Sequence, residues 1–478
     1  MAYGVVKIYI SEDRYPDLYA WLDDMSHKAK CLKNASLFIV RNNFTAHGKD
    51  SLTANEQEVQ DEIALMYETY PSAGKVKSVI SYGSLDKILR ATKNPDYFSG
   101  LPMQSAEAVA RQACADFTNW LKALKKWKTN PELFLGKPKM PGYIKGDKAQ
   151  VPFTNQDCKI RNGRLCMPGK RSVAIAAVPD NAVLKEVKCS PAGDDYVLFV
   201  TYETPDSVLI PGSMPFTAAI DFGLNNLAAV VTDADTPCLI YKGGAAKAKN
   251  QWFNKERARL QSALMIGKSP DEYPGETHAL RALSQDRERF LFDFFHKIGK
   301  HLVEWCMENG IGRLIVGSNK LWKQECSIGS VNAQNFVQMP FYTFKKILKY
   351  LCERAGILFV EQEESYTSKA SAADGDDIPV YKPNSDEKHS FSGKRIKRGL
   401  YRTKDGYLLN ADLNGATNIG RKATSDFLKE TDIVKKLSEI QVLRYGDFYK
   451  TSPNKGKQQT KPKGKAKSKR LIPAIVAA

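Results

Sequence analysis

The stretch that most limits what this chain can fold into is residues 217–233, "TAAIDFGLNNLAAVVTD". Its apolar runs are interrupted only around Asp221, Gly223 and two asparagines, which reads as a buried strand, a tight turn and a second buried strand. "PCLIYKG" (237–243) supplies a third strand, and helical spacing follows over 251–265 and about 278–308. Then come the apolar strand "GRLIVGS" (312–318), a helix in "FKKILKYLCERAG" (344–356) that stops at Gly356, the strand "ILFVEQ" (357–362), and a last helix starting near "NADLNGATNIGRKA" (410–423). Three strands, helices, strand, helix, strand, helix is the α/β order of an RNase H-like domain.

That order brings acids to strand and helix ends. Asp221 ends the first strand, beside a glycine that permits the turn, and Asp412 opens the last helix, where the helix dipole favours a negative charge and Asn410 and Asn414 can orient it. Phosphodiester hydrolysis with two metals needs several carboxylates converging at such ends, and Mg²⁺ prefers their hard oxygens to thiolates. A third acid is harder to find. The strand "LIVGS" exits on Gly317, Ser318 and Asn319, and the next acid beyond it is Glu325. The following strand carries Glu363 and Glu364 at its end. Parallel neighbours lie about 5 Å apart, so an acid there reaches the same site, and strand alternation lets only one of the two face it.

The partner is suggested by charge. The chain of 478 residues carries a formal +18, and the segment 455–470 holds eight basic residues without an acid, leaving about +10 for the rest. An excess of this size favours a polyanion. Residues 124–146 interleave lysines with Trp127, Phe134 and Tyr143, a composition suited to phosphates and unstacked bases. Upstream, "YGVVKIYI" (3–10) alternates as a strand, and helical spacing follows over 17–44 and again from Ser105, with Val109, Cys114, Phe117, Trp120 and Leu121 as a buried stripe. Short alternating runs over 151–210 read as a small antiparallel barrel or sheet. Nine scattered cysteines form no CxxC pair, so neither a disulfide framework nor a cysteine-rich metal site is expected, and no apolar run is long enough for a membrane helix. His296 lies on a Phe-rich helical face and reads as structural.

"AAIDFGLNNLAAVVTD" resembles the first RuvC motif, and "ESYTSKAS" followed by "FSGKRIKRGLYRTKDGYLLNADLNGATNI" resembles the C-terminal part of TnpB proteins. These are insertion-sequence-encoded, RNA-guided DNA endonucleases related to type V CRISPR effectors and to Fanzor proteins. The resemblance implies a RuvC nuclease domain over 213–440, with an insert at 367–408. It also implies a β-barrel wedge domain split between 1–45 and 141–212, a helical recognition domain at 46–140, and a basic tail from 441 to 478. Implied partners are a guide RNA and target double-stranded DNA, in the prokaryotic cytoplasm with no membrane association. Implied metal ligands are Asp221 and Asp412 around two Mg²⁺ ions, with a glutamate usually at the exit of the fourth strand. Gly317 stands there instead. Glu364 is the favoured replacement, because Glu364, Thr367 and Ser368 resemble the Glu-x-x-Thr-Ser arrangement of Fanzor-like sequences; Glu363 and Glu325 remain alternatives. The four cysteines of the family's zinc site are missing between Thr367 and Asp412, which excludes a four-thiolate zinc; Asp374, Asp376 and Asp377 read as a turn cluster. Lys137, Lys139, Tyr143 and Lys145, with Lys394, Arg395, Lys397 and Arg398, are expected to contact nucleic acid. A guided DNA binder that does not cut, and a strand-transferring transposase, are the competing readings.

Overall fold

The computed structural model describes residues 2–175, 178–179, 181–204, 212–272, 275, 277–318, 338–380 and 389–448. Glu325 lies outside them. The first strand, β1 (Ala2–Ile10), pairs antiparallel along its whole length with a strand far along the chain, β7 (Asp195–Thr204). Between them lie four helices, α1 (Pro16–Ala46), α2 (Ala54–Thr69), α3 (Tyr82–Ala91) and α4 (Met103–Thr129). Their starts follow from local chemistry: Pro16 stands at the first position of α1, Thr53 and Glu56 form a reciprocal capping box on α2, and Ser81 caps α3. The second half of this region contributes β2 (Val151–Thr154), β3 (Lys159–Arg161), β4 (Arg164–Met167), β5 (Arg171–Ala174) and β6 (Val183–Ala192).

The antiparallel barrel or sheet expected over 151–210 is two antiparallel sheets, β1-β7-β6-β2 and β3-β4-β5, with no hydrogen-bonded junction among the described residues. Leu22, Leu32, Phe117, Phe153 and Val187 belong to one core shared by these sheets and the helices. Trp120 packs edge-on against Phe44 and Phe117, and its indole N–H donates to the Pro138 carbonyl, so it is used for packing. Residues 124–129, the start of the lysine- and aromatic-rich stretch, are the last turns of α4, where Lys126 and Lys128 complement the negative end of the helix.

The second half is a six-stranded sheet. Its strands are β8 (Phe216–Phe222), β9 (Asn226–Thr232), β10 (Cys238–Lys242), β11 (Ile311–Ser318), β12 (Leu358–Glu363) and β16 (Ile440–Leu443), in the order β12-β11-β8-β9-β10-β16. β11 runs parallel to both β8 and β12, and β9 is antiparallel to β8 and β10. β16 pairs parallel with β10, and Leu443 behind it is buried, so the expected tail boundary at 441 is corrected: the sheet needs 440–443 to cover the edge of β10.

Strand alternation sorts this sheet into two faces. Ala218, Ile220, Leu314 and Val316 face a core built on α5 (Gly244–Leu264), α6 (His278–Glu308) and α7 (Phe341–Arg354). Ala219, Ile315, Ala229 and Val231 face the other core, beneath α8 (Ala411–Ala423) and α9 (Ile433–Ser438). Each fully buried Leu, Ile or Phe here contributes roughly 1.5–3 kcal/mol. His296 lies tilted against the Phe292 ring, with centroids 4.3 Å apart, and burial lowers its pKa. Among the described residues no helix is long and apolar enough to cross a membrane.

Candidate active site

Asp221 follows Ala219 on the same face of β8, so its carboxylate points under α8. The helix leaves room because residue 415 is glycine: a Cβ there would stand 2.6 Å from Asp221 Oδ2. The turn after β8 is equally tight, since a Cβ on Gly223 would lie 2.8 Å from the Asn226 carbonyl. Burial pushes the Asp221 carboxyl well above its ordinary pKa, and the charges of Glu364 and Asp412 push it further; Arg395 pulls in the opposite direction.

Glu364 lies just beyond β12, in register past the Gly317–Gln362 pair that links β11 to β12. It continues the parity of Val360, which packs into the α8-side core. Its carboxylate reaches the space over Gly317: a Cβ on Gly317 would meet Glu364 Oε2 at a separation that real Cβ atoms do not adopt, and would lie 2.8 Å from Ile419 Cδ1. Thr367 holds the turn by donating its hydroxyl to the Glu364 carbonyl at 2.8 Å. Glu363 is turned elsewhere. Its carboxylate accepts from Lys422 Nζ at 2.5 Å and from the Ser365 N–H at 2.6 Å. Burial would raise its pKa, but the hydrogen bonds from Lys422 and Ser365 outweigh that and hold it low. The structure therefore sets Glu364, and not Glu363, beside Asp221.

Asp412 stands in the first turn of α8. Asn410 caps this helix, its side-chain oxygen accepting from the Asp412 and Leu413 N–H groups. Asn414, expected to orient Asp412, instead bonds the Ala370 carbonyl and the Ala372 N–H. The side chains that hold Asp412 are two the sequence reading did not assign to it. Asn226 Nδ2 donates to Asp412 Oδ2 at 2.7 Å, with Lys242 Nζ donating to the asparagine's own oxygen, and Arg395 pairs with Asp412 Oδ1 at 3.1 Å. Asn226 had a signal, because "GLNNL" returns the chain past the end of β8; Arg395 came from a segment read only as basic.

The segment between Glu364 and Asp412 carries three short strands, β13 (Lys394–Lys397), β14 (Leu400–Arg402) and β15 (Leu408–Asn410). Its fold is tied by carboxylates. Asp376 accepts from the Ser371 N–H and from the Ser392 N–H and hydroxyl, while Asp374 accepts from the Ser371 hydroxyl and the Lys404 N–H. Asn414 and Asn418, both fully buried, grip the Ala370 carbonyl, and the Tyr401 hydroxyl donates to the Lys369 carbonyl. Lys394, Arg395, Lys397 and Arg398 line the exposed hairpin. In the first half, Lys137, Lys139 and Lys145 are exposed, and Tyr143 lies under the Arg41 guanidinium at 4.9 Å.

Three carboxylates from three elements, with room kept by Gly317 and Gly415, form an all-oxygen donor set suited to a hard divalent cation. Among the described residues, however, no group of three or more His, Cys, Asp or Glu side chains is placed to hold a metal ion. The positive charge beside Asp412 is at present the guanidinium of Arg395.

Residues 201–323 match the OrfB_IS605 family model, described as "Probable transposase", and residues 341–419 match the Cas12f1-like TNB domain. The TnpB-like protein ORF457 of Acidianus two-tailed virus is 28% identical over 244 residues, covering 50% of this chain and 47% of its own length, so the chain spans about half of that relative. Among solved structures, a Cas12f1–sgRNA–target DNA complex shares 11% identity at a TM-score of 0.46, over 87% of this chain and 86% of that one. The mini RNA-guided endonuclease CRISPR-Cas_phi3 shares 12% at a TM-score of 0.40, over 88% and 92%. Two stretches of the second half thus match models of this group, and about half of the chain is similar to a TnpB-like viral protein.

Proposed function

We propose that this chain is an RNA-guided DNA endonuclease of an insertion sequence, cutting phosphodiester bonds at a RuvC-like site made by Asp221, Glu364 and Asp412. The observation that carries this reading is that the charges of Glu364, just past β12, and Asp412, at the start of α8, both bear on the buried Asp221 of β8, while glycines at 317 and 415 leave room for Glu364 and Asp221. Two Mg²⁺ ions held there would supply an activated water and stabilise the leaving 3′ oxygen. The protein's part is to concentrate negative charge and fix its direction. Burial and the like charges of Glu364 and Asp412 raise the pKa of Asp221, and a bound cation would offset them by favouring its ionised form. Asn226 holds one Asp412 oxygen, and Lys422 and Thr367 fix the turn that presents Glu364.

In this reading 213–440 is the RNase H-like nuclease domain. Residues 1–45 and the strands of 141–212 act as a wedge, and the helices of 46–140 as a recognition domain that holds the guide RNA and its heteroduplex. Lys137, Lys139 and Lys145 track phosphates, Tyr143 offers a ring to a base, and Lys394, Lys397 and Arg398 meet the backbone near the cut. Base pairing by the guide reads the sequence, as in other guided nucleases.

The test begins by sequencing RNA that copurifies with the protein and building a plasmid matched to it. Mg²⁺-dependent linearisation by the wild type, lost in Asp221→Ala and Glu364→Ala, is the expected result. Guide-dependent binding without cutting favours the non-cleaving binder; strand-transfer products without RNA favour the transposase.

A further inference from the structure

Arg395 does something that a simple backbone contact does not require. Its guanidinium stands 3.1 Å from Asp412 Oδ1, and its charge also bears on Asp221, although it sits on an exposed hairpin among Lys394, Lys397 and Arg398. The pair is at the rim: the Arg395 side chain keeps 41% of its exposure and that of Asp412 22%. Ion pairs this exposed are weak and are readily exchanged for a better partner. A DNA backbone is such a partner, because its phosphates accept a guanidinium in bidentate fashion and the neighbouring cations draw the strand to this hairpin. A divalent cation, for its part, needs the Asp412 oxygen that Arg395 covers.

We propose that Arg395 couples nucleic-acid binding to metal binding: it neutralises Asp412 in the free protein, and a DNA strand draws it away and opens the Asp412 oxygen to the metal. The coupling is reciprocal by thermodynamic necessity, so metal tightens DNA binding by the factor with which DNA tightens metal binding. The free protein thereby keeps its carboxylates balanced, and the metal site completes itself on substrate. This inference rests on the carboxylate site proposed above.

The test is a Mn²⁺ titration of the full chain, read by the electron paramagnetic resonance of free Mn²⁺, with and without a short single-stranded DNA whose own Mn²⁺ binding is subtracted. In the wild type, DNA should tighten Mn²⁺ binding about fivefold, the upper range for a pair of this exposure. Arg395→Gln should bind Mn²⁺ without DNA about as tightly as the DNA-loaded wild type, and DNA should then add less than about twofold. Fluorescence anisotropy of labelled DNA with and without Mn²⁺ should return the same factors. Lys394→Gln, on the same hairpin, should weaken DNA binding and leave the coupling intact. Undiminished coupling in Arg395→Gln, or none in the wild type, overturns the proposal while Asp221-dependent Mn²⁺ binding preserves the site. Mn²⁺ binding that Asp221→Asn does not reduce, or no binding at all, overturns both.

Discussion

The carboxylate of Glu364 fills the volume that a side chain on Gly317 would need. The glycine at the exit of β11 is therefore the complement of an acid on the neighbouring strand, and the two positions exchange one volume. Gly317→Ala should displace Glu364 and lower the rate of plasmid cleavage by about 10- to 100-fold, the range for losing the support of a metal ligand. Gly317→Glu combined with Glu364→Ala returns an acid from β11 and should recover part of the activity lost in Glu364→Ala alone. A Gly317→Ala protein that cuts at the wild-type rate would sink the exchange.

Lys422 is nearly buried, and its ammonium donates to Glu363 and to the carbonyls of Ser365 and Pro379. It thus fixes the turn on both sides of Glu364. Lys422→Met leaves these acceptors without their donor, at a cost of about 1–3 kcal/mol for each buried group that finds no water. Cleavage should fall about 10-fold or more, with a lowered Tm. Glu363→Gln keeps the acceptor and should retain most of the activity; equal losses in the two variants would return Glu363 to the list of ligands.

Much of this arrangement was legible in the sequence, and the reasons differ by residue. Asp221 and the strand order followed from apolar runs that strand alternation makes nearly unambiguous. The choice of Glu364 over Glu363 was also within reach, because Val360 and Glu364 share one parity and Val360 must face a core. The partners of Asp412 were not legible: Asn226 and Arg395 are 186 and 17 residues away from it, and polar contacts leave no periodic trace. β16 was hidden for another reason. Four residues beside a basic tail look like part of it, and only the exposed edge of β10 requires a strand there.

Asp221 ties stability to pH. Its folded-state pKa lies above the ordinary 3.8, through burial first and then through Glu364 and Asp412, so the folded state binds this proton more tightly than the unfolded one. The stabilisation is complete below pH 3.8 and is lost as pH rises through the raised value. Without metal, Asp221→Asn should therefore melt about 1–3 °C above the wild type at pH 8 and level with it near pH 4. Added Mg²⁺ should raise the wild-type Tm at pH 8 and leave Asp221→Asn nearly unmoved. A variant less stable than the wild type at pH 8 would contradict the raised pKa.

The insert between Thr367 and Asp412 contains no cysteine, and Asp374 and Asp376 tie together parts of it that lie far apart in sequence. Asp376 joins residue 371 to residue 392, and Asp374 joins 371 to 404, through backbone N–H groups and serine hydroxyls. Such bonds to an ionised acceptor are worth about 1.5–3 kcal/mol each, enough to order a segment of this length. A zinc-selective chelator should accordingly leave the melting curve and the proteolytic pattern unchanged. Asp376→Ala should expose cleavage sites between 367 and 408 to limited proteolysis, because its three donors lose their common acceptor. It should also slow DNA cleavage, since the same segment carries Arg395 and leads into Asp412. Chelator-induced melting, or an Asp376→Ala insert as resistant as the wild type, would show that something other than these carboxylates holds it.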